Sequence, residues 1–258
     1  MPDRMSLNFG RIIVIGGGCY GGWYTQQLSR AFARQALRVN EVIVVDRDPA
    51  CAVAARLEAG AYGDLPVRLE VSAWDDFLDQ WLAEGTEALT HDAMVPSPLM
   101  PHVCLDWLMR RAAQHWPGRG MRVDPLDVDP GTPWQRAAPD GRHYVSFATW
   151  MCPTNCIEPS QCPAIKAPRD WSMPVTIARM PTTDPATGDG PHQAAQPTLR
   201  GTVTFHCVHR TYGVGMIDAK SIAEADDKLE AWGREGPCRV LVGTMSHCHG
   251  ALGVLALD

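Results

Sequence analysis

The stretch Arg11–Phe32, RIIVIGGGCYGGWYTQQLSRAF, decides the fold prediction for this chain of 258 residues. Four consecutive apolar β-formers, Ile12–Ile15, are followed by glycines in G-x-G-x-x-G spacing. In such an arrangement Gly16 allows a tight turn after a strand, Gly18 lets the backbone approach a pyrophosphate, and Gly21 lets helix and strand pack closely. The stretch therefore predicts a strand, a phosphate-binding turn and the start of a helix.

The residues after the glycines complete this unit. Apolar side chains recur at helical spacing, and the run Glu41–Asp46 then reads as a second strand ending in an acid. The helix N-terminus offers N–H groups and a partial positive charge to phosphates, and Asp46 can accept hydrogen bonds from a ribose diol. The carboxylate of Asp46 favours NAD(H) over NADP(H), although Arg47 beside it weakens that choice. The alternative is a Rossmann fold that has lost its ligand.

The segment VIVVDRDPACAVAARL, residues 42–57, resembles the TrkA-N/RCK family of NAD-binding regulatory domains, in which a second strand ends in Asp, is followed by Arg-Asp-Pro and leads into a helix. The resemblance covers about the first hundred residues. It implies a parallel sheet that holds an adenine nucleotide at the loop after the first strand, with Gly16, Gly18, Gly21 and Asp46 matching the family pattern. Members of that family usually serve membrane transporters.

Further along the chain, the pattern predicts more of the same sheet. Val67–Val71 and Asp92–Pro96 read as strands, and Asp75–Gly85 and Leu99–Trp116 read as helices. We therefore predict an α/β fold: a Rossmann-like parallel sheet with helices on both faces, in a nucleotide-binding domain over residues 1–120. A smaller cysteine-rich α+β region is expected to follow over residues 121–258.

The second region alternates loops with regular elements. Trp116–Asp140 and Pro181–Thr198 are rich in turn-forming residues and predict loops, apart from a short strand near Met121–Val123. Gly201–Arg210 predicts one strand, and Met216–Gly233 predicts an amphipathic helix. Two apolar runs around Ser246–Gly250 predict two further strands.

Three cysteines lie within the segment MCPTNCIEPSQCP, residues 151–163. Their spacing matches neither a zinc ribbon nor a bacterial ferredoxin, yet it is compact enough for three thiolates to reach one metal. We predict an iron–sulfur cluster, with zinc, a thiol redox site or purely structural cysteines as alternatives. The predicted ligands are Cys152, Cys156 and Cys162, with Cys19 in the glycine loop as the first candidate for the fourth. The alternatives for that position are Cys104, Cys207, Cys248, a histidine, or a position left open for substrate.

Two patches of histidine and cysteine follow, HCVH at residues 206–209 and HCH at residues 247–249. Loops at strand ends often carry functional residues, so His247 and His249 are candidate catalytic groups, as is Glu158 in the cysteine segment. The ordinary alternatives are a polar turn and a solvated glutamate. The patches form one site with the cysteine segment only if the fold brings them together.

The composition excludes some partners. The net charge of −6 and the absence of a basic stripe argue against nucleic acid, and no apolar run is long enough to cross a bilayer. Nine cysteines without an export signal favour metal or redox chemistry in a cytoplasmic protein. A redox partner protein and a homo-oligomer are both compatible with this pattern.

Together these features predict a soluble redox protein, an NAD(H)-linked oxidoreductase or electron carrier with a cysteine-bound cluster. One alternative is a non-catalytic nucleotide or redox sensor, which would bind without turnover. The other is a small-molecule enzyme that uses zinc as a Lewis acid.

Overall fold

The computed structural model describes residues 6–153, 156–180 and 199–258. Within them it confirms a mixed α/β protein with parallel strand pairs and helices. The loop predicted at Pro181–Thr198 lies outside the described residues. No helix in the described ranges is long and apolar enough to cross a lipid bilayer.

The described residues form twenty helices and strands. In chain order they are β1 (Leu7–Ile15), α1 (Cys19–Ala33), β2 (Leu37–Asp46), α2 (Ala52–Glu58), β3 (Val67–Val71), α3 (Trp74–Leu82), β4 (Ala93–Val95), α4 (Val103–His115), β5 (Met121–Asp124), β6 (Trp134–Ala137), β7 (His143–Ser146), β8 (Gln161–Cys162), β9 (Ala167–Pro168), α5 (Met173–Ala178), β10 (Leu199–His206), β11 (Val208–Thr211), β12 (Val214–Asp218), α6 (Ala219–Arg234), β13 (Cys238–Met245) and β14 (His249–Leu257).

The described residues divide into two compact units. The first holds those within Met1–Pro101, Pro153–Pro159 and Cys207–Ala223, and the second holds those within His102–Cys152, Ser160–His206 and Glu224–Asp258. The cysteine segment and the HCVH patch each contribute residues to both units. The assignment of residues 1–120 and 121–258 to two functional domains stays a prediction.

The first unit is built on a six-stranded sheet in the order β11-β12-β4-β1-β2-β3. The four strands β3, β2, β1 and β4 run parallel, with Ile12 opposite both Val42 and Ala93. The inner strands β1 and β2 are buried on both faces over Ile12–Ile15 and Val42–Val45, which explains their continuous apolar runs, whereas the edge strand β3 has no buried residue. The β12 strand joins this sheet antiparallel to β4, and β11 pairs antiparallel with β12.

Helix α1 forms because its apolar and small residues repeat every three to four positions. Gly21, Thr25 and Leu28 are buried on its inner face. Leu28 packs in a core with Ile12 and Val14, fully buried side chains of β1. This packing fixes the helix directly after the glycine loop.

The second unit is built on a sheet of β10-β13-β14-β7-β6, with β5 also paired to β14. The β10 and β13 strands are parallel, and the other pairs are antiparallel. The short strand predicted near Met121 is confirmed as β5, whereas β6 falls in a stretch predicted to be loop.

Several predicted elements differ from those in the structure. The single strand predicted over Gly201–Arg210 is two strands in different sheets, because the chain leaves β10 at His206 and enters β11 at Val208. The helix predicted from Met216 begins at Ala219, because the first three residues are in β12. The helix predicted from Leu99 begins at Val103. An apolar run alone does not show at which residue the chain leaves one sheet and enters another.

Candidate functional site

The turn between β1 and α1 is built as the glycine spacing predicts. Gly16 has a φ of +88°, in the left-handed region that glycine adopts readily. A Cβ on Gly21 would lie 1.7 Å from the carbonyl oxygen of Gly16, so the first turn of the helix packs directly on the loop. Neither position therefore accepts a side chain without a shift of the backbone.

Gly18, at the N-cap of α1, faces open space. No described atom lies within 4 Å of the point that a Cβ on Gly18 would occupy, and the residue is exposed. The helix end has no side-chain cap and no acidic residue in its first turn. Its N–H groups and partial positive charge thus face an accessible region that an anion can enter.

Asp46, at the end of β2, is tied to this loop. Its Oδ2 accepts a hydrogen bond from the backbone N–H of Gly17 at 2.6 Å, and its Oδ1 accepts one from the N–H of Asp48 at 2.9 Å. The carboxylate is therefore held at the carboxyl edge of the sheet. Each oxygen has a second lone pair for another donor.

Three residues that the sequence motif did not indicate also shape the loop. The carbonyl of Gly17 accepts the N–H of Val53 at 2.9 Å, and the sulfur of Cys51 lies 2.4 Å from where a Cβ on Gly17 would be. The indole N–H of Trp74 donates to the carbonyl of Val45 at 3.1 Å, and its ring lies 3.6 Å from the Cβ position of Gly16. A close contact across the loop leaves no local sequence signal, which is why these residues were missed.

The predicted metal ligands occupy different settings. Cys19 is the exposed first residue of α1. Cys156, in the first unit, is partly exposed, and its sulfur accepts the N–H of Glu158 at 3.4 Å. In the second unit Cys152 is partly exposed, whereas Cys162 is buried in β8.

None of the nine cysteines, all of them among the described residues, is in a disulfide. Within the described ranges, no group of three or more His, Cys, Asp or Glu side chains is arranged to hold a metal ion. The iron–sulfur cluster and its zinc alternative stay predictions.

Glu158 lies in the first unit with a φ of +48°, an uncommon conformation for a residue with a side chain. It influences Cys207: burial of that thiol raises its pKa to about 12, and the negative charge of Glu158 adds to the effect. A Cβ on Gly215 would lie 2.5 Å from the Cys207 sulfur and 3.2 Å from Nε2 of His209, so thiol and imidazole share one small space. Cys207 is a protonated thiol at neutral pH.

His247 and His249 lie at the β13–β14 hairpin of the second unit, and each contacts a serine. Nδ1 of His247 is 3.3 Å from Oγ of Ser172, and Nδ1 of His249 is 3.0 Å from Oγ of Ser146. The ring of His247 also meets that of His206 edge-on, with centroids 5.1 Å apart. The fold thus brings one histidine of the HCVH patch to the HCH patch, whereas Cys207 and His209 belong to the first unit.

A comparison with protein families matches residues 104–258 to the family model AF_1314_C, described as "Uncharacterized protein, C-terminal domain". The match covers more than half of the chain. The chain belongs to this family. No curated protein and no solved structure matches the chain.

The comparison corrects the resemblance to the TrkA-N/RCK family. The family match lies in the C-terminal part, and no TrkA-N or other Rossmann family model matches the N-terminal half. The physical reason is that a strand, a glycine turn, a helix and a strand-end acid are demanded by the geometry of the βαβ unit itself. Such a pattern is shared by unrelated proteins and does not identify one family.

Proposed function

We propose that the first unit binds a dinucleotide of the NAD(H) class at the β1–α1 loop, and that the chain is a redox protein that uses it. The strand order supports this: β3, β2, β1 and β4 lie side by side and parallel, so the order reverses direction at β1. Open parallel sheets bind ligands in the crevice outside the carboxyl ends of the strands at such a point.

The observation that carries the proposal is the contrast among the glycines of one turn. Gly16 and Gly21 are packed against each other, whereas Gly18 between them faces open space at an uncapped helix N-terminus. A turn needed only for folding requires the contact between Gly16 and Gly21. It does not require open space at Gly18. The open position fits a pyrophosphate, whose charge the helix end would stabilise.

Asp46 supports NAD(H) over NADP(H). Its carboxylate is fixed beside Gly17, where a ribose diol can donate hydrogen bonds to its remaining lone pairs. A 2′-phosphate at the same place would be repelled by the negative charge. Arg47, the next residue, is exposed.

A bound nicotinamide would supply hydride transfer, and the protein groups would bind and orient it. The predicted acceptor is a small molecule or a redox partner protein. The alternative function, a nucleotide sensor, differs in one respect: it would bind the same nucleotide without turning it over.

Binding is tested by titrating the full chain with NAD⁺, NADH and NADPH and following tryptophan fluorescence, since Trp74 lies against the loop. We expect NADH to quench the emission and to bind at least about tenfold more tightly than NADPH. Asp46→Asn should reduce that preference. The matched control is Asp64→Asn, at an exposed acid whose described contacts include none with the loop.

Gly18→Ala should weaken binding of every nucleotide, because its methyl group would occupy the space proposed for the pyrophosphate. Saturable binding to the parent chain that is equal in the Gly18→Ala and Asp46→Asn variants would contradict the site. No binding at millimolar nucleotide would contradict the proposal. Binding without NADH oxidation by any added electron acceptor would favour the sensor.

A further inference from the structure

Ser172 stands at the start of α5 but does not cap it. Serine at an N-cap normally accepts a hydrogen bond from the helix backbone. Here the side chain makes no cap hydrogen bond, and its hydroxyl lies 3.3 Å from Nδ1 of His247 instead. The hydroxyl is therefore directed to a base at the cost of an ordinary helix contact.

His247 is held in place by several contacts of the second unit. Its carbonyl accepts the backbone N–H of Met173 at 3.0 Å, so the residue after Ser172 is joined to the histidine as well. Its ring packs edge-on against that of His206 at the end of β10. In the same turn Ser246 Oγ accepts the N–H groups of Cys248 and His249, each at 3.3 Å. These contacts hold the imidazole of His247 and the hydroxyl of Ser172 in fixed positions relative to each other.

The neighbouring pair Ser146 and His249 shows what a structural serine looks like here. The Ser146 hydroxyl donates to the carbonyl of Ala148 at 2.7 Å and also accepts the N–H of Ala148 at 2.9 Å. With its proton used in that way, Ser146 accepts a hydrogen bond from His249 rather than giving one. Ser172 has no such competing acceptor among its contacts in the described residues, so its proton can go to His247.

Aromatic side chains cluster around Trp171, the residue before Ser172. Trp171 is stacked on Phe147 with centroids 5.9 Å apart, and Trp150 meets it edge-on at 6.5 Å. The indole N–H of Trp171 donates to the sulfur of Cys248 at 3.3 Å, which fixes the ring. All of these side chains are in the second unit and within the range that matches the family.

We propose that Ser172 and His247 form a nucleophile–base pair that attacks esters with an apolar or aromatic acyl group. Ser172 Oγ would form a bond to the acyl carbon as its proton passes to Nδ1 of His247. The proton then passes to the departing alkoxide as the ester C–O bond breaks, leaving an acyl-serine and a free alcohol. Water, deprotonated by His247, would release the carboxylic acid and restore the hydroxyl. The 3.3 Å distance is slightly longer than the range of about 2.6–3.2 Å for a nucleophile and its base, and such pairs are often longer without substrate.

The test uses the full chain with a fluorophosphonate probe, in which the serine oxygen displaces fluoride from phosphorus. We expect one adduct per chain, mapped by peptide mass spectrometry to Ser172. Ser172→Ala should abolish the adduct, and His247→Gln should slow labelling by about 100-fold or more, the usual contribution of a general base. Ser146→Ala is the matched control and should be labelled at the parent rate.

Turnover is read from release of p-nitrophenol from p-nitrophenyl butyrate, with circular dichroism to confirm that each variant is folded. Labelling of the parent chain at a different serine, or no labelling at all, would overturn the proposal even if a variant failed to fold. Equal labelling of the parent and the His247→Gln variant would overturn the role of His247. None of these outcomes depends on nucleotide binding, so this site and the β1–α1 site are tested separately.

Discussion

The backbone N–H of Gly17 donates a 2.6 Å hydrogen bond to the carboxylate of Asp46, joining the turn after the first strand to the end of the second. Gly17 is buried, and its carbonyl accepts the N–H of Val53 near the start of α2. One glycine therefore joins the β1–α1 turn to the end of β2 and to the start of α2. The turn is rigid on this side and open beside Gly18, which is the asymmetry that a binding loop needs.

Gly21→Ala should be among the most damaging single substitutions in the first unit. Its methyl group would meet the carbonyl oxygen of Gly16 at 1.7 Å, and backbone on both sides leaves no flexible atom to move. We expect the free energy of unfolding to fall by about 3 kcal/mol or more in urea denaturation. Gly18→Ala is the matched control, and a loss above about 1 kcal/mol there would contradict the open space assigned to it.

Asp92 is a buried carboxylate on which the first unit depends. It is only 4% exposed and accepts the Arg11 N–H at 2.8 Å, the Arg11 Nε at 2.7 Å and the Trp81 indole at 3.1 Å. Asp92→Ala should lower the free energy of unfolding by about 3–5 kcal/mol, because the partly buried guanidinium of Arg11 would lose its buried carboxylate partner. Glu84→Gln, which removes the exposed partner of the same arginine, should cost less than about 1 kcal/mol. Equal costs in urea denaturation would refute this ranking.

His102 should make stability depend on pH. Burial, assisted by the positive charge of Arg142, lowers the pKa of His102 to about 4. Its ordinary value is about 6.5, so between these pH values the unfolded chain binds a proton that the folded chain does not. Stability from this group is therefore complete above pH 6.5 and falls as the pH drops towards 4, by up to about 3 kcal/mol.

The measurement is urea denaturation at pH 7.0 and pH 5.0 for the parent chain and for His102→Gln. The variant should lose less stability between the two pH values than the parent does. The control is His91→Gln, at an exposed histidine, which should keep the parent's pH dependence. A parallel loss in the parent and the His102→Gln variant would show that other groups cause it.

The thiols should differ sharply in reactivity. Because burial and Glu158 raise the pKa of Cys207 to about 12, only about one in 10⁴ of its thiols is ionised at pH 8. Cys19 is exposed at the start of α1. We expect iodoacetamide to modify Cys19 in the folded chain and Cys207 only in urea, as read by peptide mass spectrometry. Rapid modification of Cys207 in the folded chain would contradict the raised pKa of its thiol.

The cluster prediction has a direct test. Protein purified without oxygen is analysed for iron, sulfide and zinc, and its absorption is recorded from about 300 to 700 nm. Iron and sulfide that disappear in Cys152→Ser and Cys162→Ser would confirm the iron–sulfur prediction. Zinc at one equivalent would support the alternative, and the absence of all three would contradict both. Cys238→Ser, at a buried cysteine of β13, is the control.

Much of the first unit was predictable because its signals are local. Ile12–Ile15, the glycine spacing and Asp46 each specify a conformation through their own backbone and neighbours, and β1, α1 and β2 form where the pattern places them. The place of β12 beside β4 was not predictable, since the two strands are separated by more than a hundred residues. The apolar pattern of a strand does not specify which other strand it pairs with.

The same limit applies to the candidate sites. The histidine patches were visible in the sequence, but the contact of His247 with Ser172, 75 positions away, was not. Serine is common in loops, and nothing in its neighbours marks Ser172 as different from Ser146. Only the partners of each hydroxyl separate them, and those partners are set by tertiary packing.

By itself the sequence determined the glycine turn, the helix after it and the acid at the end of β2, because glycine conformation and hydrophobic periodicity act over a few residues. The tertiary structure alone decided which distant groups meet: the Asp46 carboxylate with the Gly17 N–H, and Ser172 with His247. Such contacts form when long loops close around buried cores. The free energy that stabilises this closure comes from burial of apolar surface over the whole fold, so no short stretch of sequence specifies it.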